Sequence, residues 1–243
     1  MNSLTANGDT ANDLMQIFPT ITTIAGSAWL DKITEVKGLK LREVCLFPTC
    51  LDKKQREKLY ALLLETDLET IPFVHLRSDM DLRELDYLAN HYQTKAFNIH
   101  TKKEFALLHD YGPYKKSIYI ENTYKPFDEA EIREFGGICL DISHLENDRI
   151  LRPDVYEANV RILEKYPPKC SHISVIKKKA VLDEESYMRI TTHYLEDLSE
   201  FDYLKRYPLE YFGSVSALEL ENTIEEQLRA KEYISALIKI TSK

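Results

Sequence analysis

Histidines and carboxylates gather in this chain where short apolar, β-prone runs end. The runs read FVHLRS with His75, AFNIH with His100, CLDISH with Asp141 and His144, and SHIS with His172. SIYIEN and SALELEN follow the same plan and carry Glu121 and Glu219. His193 stands further on, in a long irregular stretch. Imidazole and carboxylate are donors that zinc accepts, while manganese and magnesium tolerate carboxylate-rich sites that keep water. Three or four such ligands with one position open make a Lewis acid able to polarise a carbonyl or activate water. Any one of these histidines, taken alone, reads as a core ring bonded to backbone. The set, repeated at one kind of position, reads as a site for one or two divalent ions. Arg77, Arg149, Lys177 and Lys178 also follow strand ends and could hold a substrate phosphate, although a lysine run is more often a solvated loop.

Donors spread this widely need a scaffold that points strand ends at one place. Strand-like runs lie over 17–23, 43–47, 71–75, 95–100, 117–121, 137–141, 170–175 and 214–220. Helical patterns fill 27–36, 52–64, 128–135, 153–165 and 223–238. Two more helices open with capping-box spacing, at Ser78 with Asp81 and at Thr101 with Glu104. Strands alternating with helices imply βαβ units and a parallel sheet. The glycine-rich phosphate loops of open doubly wound sheets, GxGxxG or GxxxxGK with Ser or Thr, are absent. The expected fold is therefore α/β, a single (β/α)8 TIM barrel over 13–243, with residues 1–12 a polar tail. Such barrels typically need about 250 residues and keep their chemistry on the rim formed by the strand C-terminal ends. The metal site belongs there. The stretch 177–211 reads as a long rim loop, nothing suggests a hairpin sheet, and His91 and His109 read as surface residues on helices.

Composition narrows the partners. A net charge of −8 and a pI near 5.5 argue against a chain that grips nucleic acid by its phosphates, which calls for a basic surface. No apolar stretch approaches the roughly 20 residues needed to span a bilayer. The N-terminus carries neither the basic nor the apolar segment of a secretory signal, so the expected location is cytoplasmic. Cys45, Cys139 and Cys170 fall inside apolar runs and read, with Cys50, as free thiols in a reducing compartment.

The donor motifs resemble those of the xylose isomerase-like TIM-barrel superfamily, which includes sugar and sugar-phosphate isomerases and epimerases and the type IV apurinic/apyrimidinic endonucleases. The resemblance covers most of the chain and is strongest from Ser117 to Ile238. IYIENT resembles a fifth-strand segment whose glutamate binds or bridges metal, here Glu121. GICLDISH is similar to a sixth-strand D-x-x-H motif, giving Asp141 and His144. SHIS resembles the seventh-strand metal histidine, His172. ALELEN resembles the segment with the closing glutamate, Glu219, although Glu221 points the same way along the strand. THYLEDLSEFDYLKRYP resembles the endonuclease segment that brings another histidine to the rim, here His193, but its glycines are not kept. Thr191 also stands where that pattern has Asp.

The resemblance implies that His75 and His100 serve one metal with bridging Glu121, and that Asp141, His172 and Glu219 serve another. His144 and His193 are then left as two ligands of an incomplete third site. It further implies a metal-dependent sugar or sugar-phosphate isomerase or epimerase, working by proton transfer through an enediolate or by hydride shift. Glu121 and Glu219 would be its acid and base. The alternative is a zinc phosphodiesterase of the endonuclease type. Relatives often pair as dimers or tetramers, which leaves a homo-oligomer open.

Overall fold

The structure, a computed structural model, describes residues 15–24, 26–183 and 187–241. The tail expected over 1–12 lies outside them. Short runs rich in Ile, Val, Leu and Phe supply the strands, as expected where both faces of a parallel sheet are covered. In chain order these are Gln16–Phe18 (β1), Thr20–Thr22 (β2), Cys45–Phe47 (β3), Phe73–His75 (β4), Ala96–Ile99 (β5), Ile118–Glu121 (β6), Ile138–Asp141 (β7) and Cys170–Ile173 (β8). A hairpin of Val175–Leu182 (β9) and Met188–Thr192 (β10) follows, and Val215–Leu218 (β11) completes the set. The helices are Trp29–Gly38 (α1), Lys53–Leu63 (α2), Leu82–His91 (α3), Glu129–Glu134 (α4), Ile142–Leu151 (α5), Pro153–Leu163 (α6) and Ile224–Thr241 (α7).

The main sheet runs β1-β11-β8-β7-β6-β5-β4-β3-β2, with neighbours parallel. Its two ends are halves of one extended run, parted only by Pro19, which has no N–H to give a ladder. The first half pairs with β11, Gln16 opposite Val215, and the second half with β3, Thr20 opposite Cys45. One run thus closes both edges, and the sheet is a TIM barrel of eight strand positions. Gln227 of α7 fastens the junction: its side-chain oxygen accepts from the Thr20 N–H at 2.7 Å, and its amide donates to the Thr20 carbonyl at 3.1 Å.

Strand alternation sorts the core into two clusters. Phe18, Cys45, Phe47, Phe73, Ala96, Cys139, Cys170, Val215 and Ala217 pack together inside the barrel. Leu46, Val74, Phe97, Ile120, Leu140, Ile173 and Leu218, in the opposite phase, pack outward against the helices. The inner phase explains the cysteines: Cys45, Cys139 and Cys170 are small apolar side chains in a narrow interior, and Cys50 alone is exposed.

Three elements differ from the sequence expectation. Thr101 does not begin a helix. Glu104 and Phe105 close one turn on the Thr101 carbonyl, and Glu104 then accepts from the Thr123 hydroxyl, so its carboxylate serves a neighbouring loop. The connection ends in a 3-10 turn over Gly112–Ser117, and His109 is exposed on this connection, not on a helix. The stretch from Lys177 is not a loop: Lys177 and Lys178 lie on β9 of an antiparallel hairpin. α5 follows β7 without a gap, where only α6 was expected. Ile142, Ser143, Leu145, Glu146, Asn147 and Asp148 of α5 are all buried, so it carries no apolar stripe to read.

Candidate metal centre

The inner phase of β4, β5, β6, β7, β8 and β11 leads to a polar donor at the C-terminal rim. Phe73 is followed two positions on by His75, Tyr119 by Glu121, Cys139 by Asp141, Cys170 by His172 and Ala217 by Glu219. Ala96 leads to Asn98 and then His100. Period-2 alternation is therefore what converts the strand ends into a ring of inward donors.

Glu121 is the hub. It is 2% exposed, and its Oε2 lies 3.0 Å from His75 Nε2, 3.8 Å from His100 Nε2 and 3.7 Å from His172 Nδ1. Burial would raise its pKa, but His172, His100 and His75 outweigh that and hold the carboxyl well below its usual range. Among the described residues two donor groups have ligand atoms within 4.8 Å of one another: His75, His100 and Glu121; and Glu121, Asp141 and His172. They share Glu121.

Backbone contacts orient the rings. His75 donates Nδ1–H to the Leu76 carbonyl at 3.0 Å, which leaves Nε2 toward Glu121. His172 is fully buried on an aromatic floor, its ring 4.6 Å from Phe47 and 5.2 Å from Phe73. Its Nδ1 lies 3.5 Å from Glu219, too long for a good hydrogen bond, and neither ring nitrogen has a hydrogen-bond partner among the described residues. Burial alone would lower its pKa, yet Glu121, Glu219 and Asp141 raise it to about 9. His100 goes the other way: burial, helped by His75, brings it down to about 4 against the pull of Glu121.

Asp141 divides its oxygens. Oδ1 caps α5, accepting from the His144 N–H at 2.8 Å and the Ser143 hydroxyl at 2.5 Å, while Oδ2 is buried without a hydrogen-bond partner among the described residues. Asn122 grips the Asp141 backbone from both sides, at 2.7 and 2.9 Å.

Buried polar atoms are normally satisfied, because each one left unpaired costs about 1–3 kcal/mol. Both His172 nitrogens and Asp141 Oδ2 break that rule at one spot, beside an ionised carboxylate. A divalent cation would satisfy one His172 nitrogen and Asp141 Oδ2 together with Glu121, so the donor set fits a metal.

The remaining candidates separate. Glu219 reaches the cavity at the barrel mouth, and its pKa is held well below the usual range because His193 and His172 outweigh burial. Glu221 instead pairs with buried Lys32 at 3.0 Å, which distinguishes the two glutamates. His193 donates Nδ1–H to the Glu219 carbonyl at 3.2 Å and lines the cavity. His144 sits in the first turn of α5, its Nδ1 bonded to the Asn122 carbonyl and its Nε2 3.4 Å from Arg189 of β10. His144 and His193 belong to neither donor group. Arg77 lines the cavity; Arg149 is held by Glu146 at 2.7 Å, Lys177 by Glu200 at 2.7 Å, and Lys178 is exposed.

Sequence reasoning missed Asn98, fully buried, whose amide donates to Glu121 Oε2 at 2.5 Å. Its signal was available, since it shares a phase with Ala96 and His100. Asn122 and Ser143 had no comparable signal, because their partners are backbone and a cap.

Neither a protein-family model nor a curated protein sequence matches this chain. Among solved structures it is similar to a xylose isomerase-like TIM barrel protein from Mycobacterium smegmatis, crystallised in complex with magnesium. The two are 12% identical over 93% of this chain and 98% of that one, with a TM-score of 0.46.

Proposed function

We propose that the chain is a divalent-metal-dependent isomerase or epimerase of small α-hydroxycarbonyl compounds, moving a proton between neighbouring carbons. The observation that carries this reading is the pair of donor groups sharing Glu121, with a second ionised carboxylate, Glu219, beside them at the cavity. His75, His100, Glu121, Asp141 and His172 would hold the metal, which can be zinc, manganese or magnesium. Bound there, the ion supplies Lewis acidity toward a substrate oxygen. Glu219 takes the proton from one carbon and returns it to the next, while His193 Nε2 carries the hydroxyl proton across to the former carbonyl oxygen, so both groups end as they began. His193 fixes Glu219 through its carbonyl, with its Nδ1–H committed there and its Nε2 left as an acceptor at the cavity. Glu121 lies beneath and anchors the metal.

The test is deuterium wash-in. Metal-supplemented protein in deuterium oxide, offered a panel of α-hydroxy aldehydes and ketones, should exchange a carbon-bound proton, followed by proton NMR. Exchange should stop with chelator and in Glu219→Gln. Exchange that survives both would refute the assignment.

The shared Glu121 also suits two neighbouring ions, the arrangement used for in-line attack on phosphorus. A phosphodiesterase would cleave abasic-site DNA in a chelator-sensitive way. Absence of cleavage by protein carrying two zinc ions would remove that reading.

A further inference from the structure

The cavity at the barrel mouth, about 350 Å³, has two unlike kinds of lining. His75, His100, His193 and Glu219, with Thr49, Cys50, Arg77 and Ser78, supply its polar lining, and Ile24, Leu76, Ile99, Phe105 and Leu107 its carbon lining. The carbon lining continues outward, since Ile24 and Phe105 are 38% and 50% exposed. It also begins at the donors themselves, the Phe105 ring lying 5.3 Å from that of His100.

Charge at the mouth is balanced. Arg77 is the only arginine or lysine lining the cavity among the described residues. Its Nε is on Asp79 at 2.9 Å and its Nη1 on the Thr49 carbonyl at 2.8 Å. Asp79 also pairs with buried Arg56, which Glu84 neutralises in turn, so the two cations face two anions. Side-chain recognition of a phosphate dianion calls for donors that carry uncompensated positive charge. Arg149 and Lys177, each held by its own carboxylate, do not line the cavity. A free polyol fits no better, because hydroxyls turned toward Ile99, Phe105 and Leu107 would lose their water partners and gain none.

We propose that this cavity selects an unphosphorylated α-hydroxycarbonyl compound bearing an aryl or branched alkyl group. Its oxygens lie at His75, His100 and Glu219, and its carbon body lies along Ile99, Phe105 and Leu107. The inference rests on the isomerase reading for the polar end, while its apolar half stands on the cavity wall.

Three ketones share one hydroxymethyl ketone head and differ in the tail: benzyl hydroxymethyl ketone, dihydroxyacetone and dihydroxyacetone phosphate. Calorimetric titration of the full chain with each, with and without manganese, isolates the tail. The benzyl compound should bind about tenfold tighter than either of the others, as burial of one phenyl ring implies. Phe105→Asn, at a half-exposed position where folding does not depend on the ring, should weaken the benzyl compound by about fivefold and leave manganese affinity unchanged. Equal or tighter binding of the phosphate, or an unaffected Phe105→Asn, overturns the proposal. A manganese titration on the same samples reports separately: a protein that binds no ion yet keeps the benzyl preference ends the metal reading and leaves the cavity inference standing.

Discussion

At the scale of single residues, Glu121 and His172 decide the chemistry. Glu121→Gln removes the charge common to both donor groups and should abolish measurable metal binding by calorimetry, with the far-ultraviolet circular dichroism unchanged. Asn98→Ala, which only frees Glu121 to turn, should weaken metal about 10–100-fold, the usual cost of losing an outer partner. Unchanged affinity in either variant would dissolve the centre. His172 makes the pH dependence opposite for the two states. In the metal-free protein its pKa is raised to about 9, so its ion pairs stabilise the fold fully below its unfolded value of 6.5 and fade as pH rises through 9. Metal needs the neutral ring, so binding displaces that proton. Affinity should therefore climb by about tenfold per pH unit between roughly pH 7 and 9, then level off. A flat profile would mean that His172 is not a ligand. The sequence disclosed most of this ring, because donors at strand ends stand out from apolar runs. It showed the phase of Asn98, shared with Ala96 and His100, but not its partner, because the contact with Glu121 lies across to the neighbouring strand.

At the scale of elements, Asp141 joins a strand to a helix and a site to a cap. Asparagine caps as well as aspartate, so Asp141→Asn should change stability by only about 0.5 kcal/mol while lowering metal affinity. Asp141→Ala should lose the cap too, about 1 kcal/mol more, read by urea denaturation. Gly213 sets another junction: its φ is +66°, and a Cβ there would stand 2.5 Å from the Lys169 carbonyl oxygen that its neighbour Ser214 bonds. Gly213→Ala should cost at least about 2 kcal/mol by forcing β8 and β11 apart. Stability within error of the parent would show that the junction relaxes freely. The elements that sequence patterning misread share one cause. α5 is buried on several sides, the Thr101 box is diverted by Thr123, and the lysines of β9 mask its alternation. In each, tertiary partners override a local signal.

At the scale of the molecule, a bound ion is a cross-link among strands distant in sequence. Donors from β4 to β8 form two groups that share Glu121, so a metal would bind the closed barrel and not the unfolded chain. An ion at a hundredfold its Kd should add about 2.7 kcal/mol and raise the melting temperature, and chelator should reverse the gain. No shift on metal addition would mean that the ring is not a site. No helix among the described residues is long and apolar enough to cross a membrane.

Closure at Pro19 also has a consequence for synthesis. Thr20 waits for Gln227, 207 positions later, which at about 5–20 residues per second is on the order of 10–40 s on the ribosome. Through that interval the nascent sheet has two raw borders, the kind that recruit other polypeptides. A message cut short before β11 would therefore yield not a smaller closed barrel but a sticky product, dependent on chaperones until it is degraded.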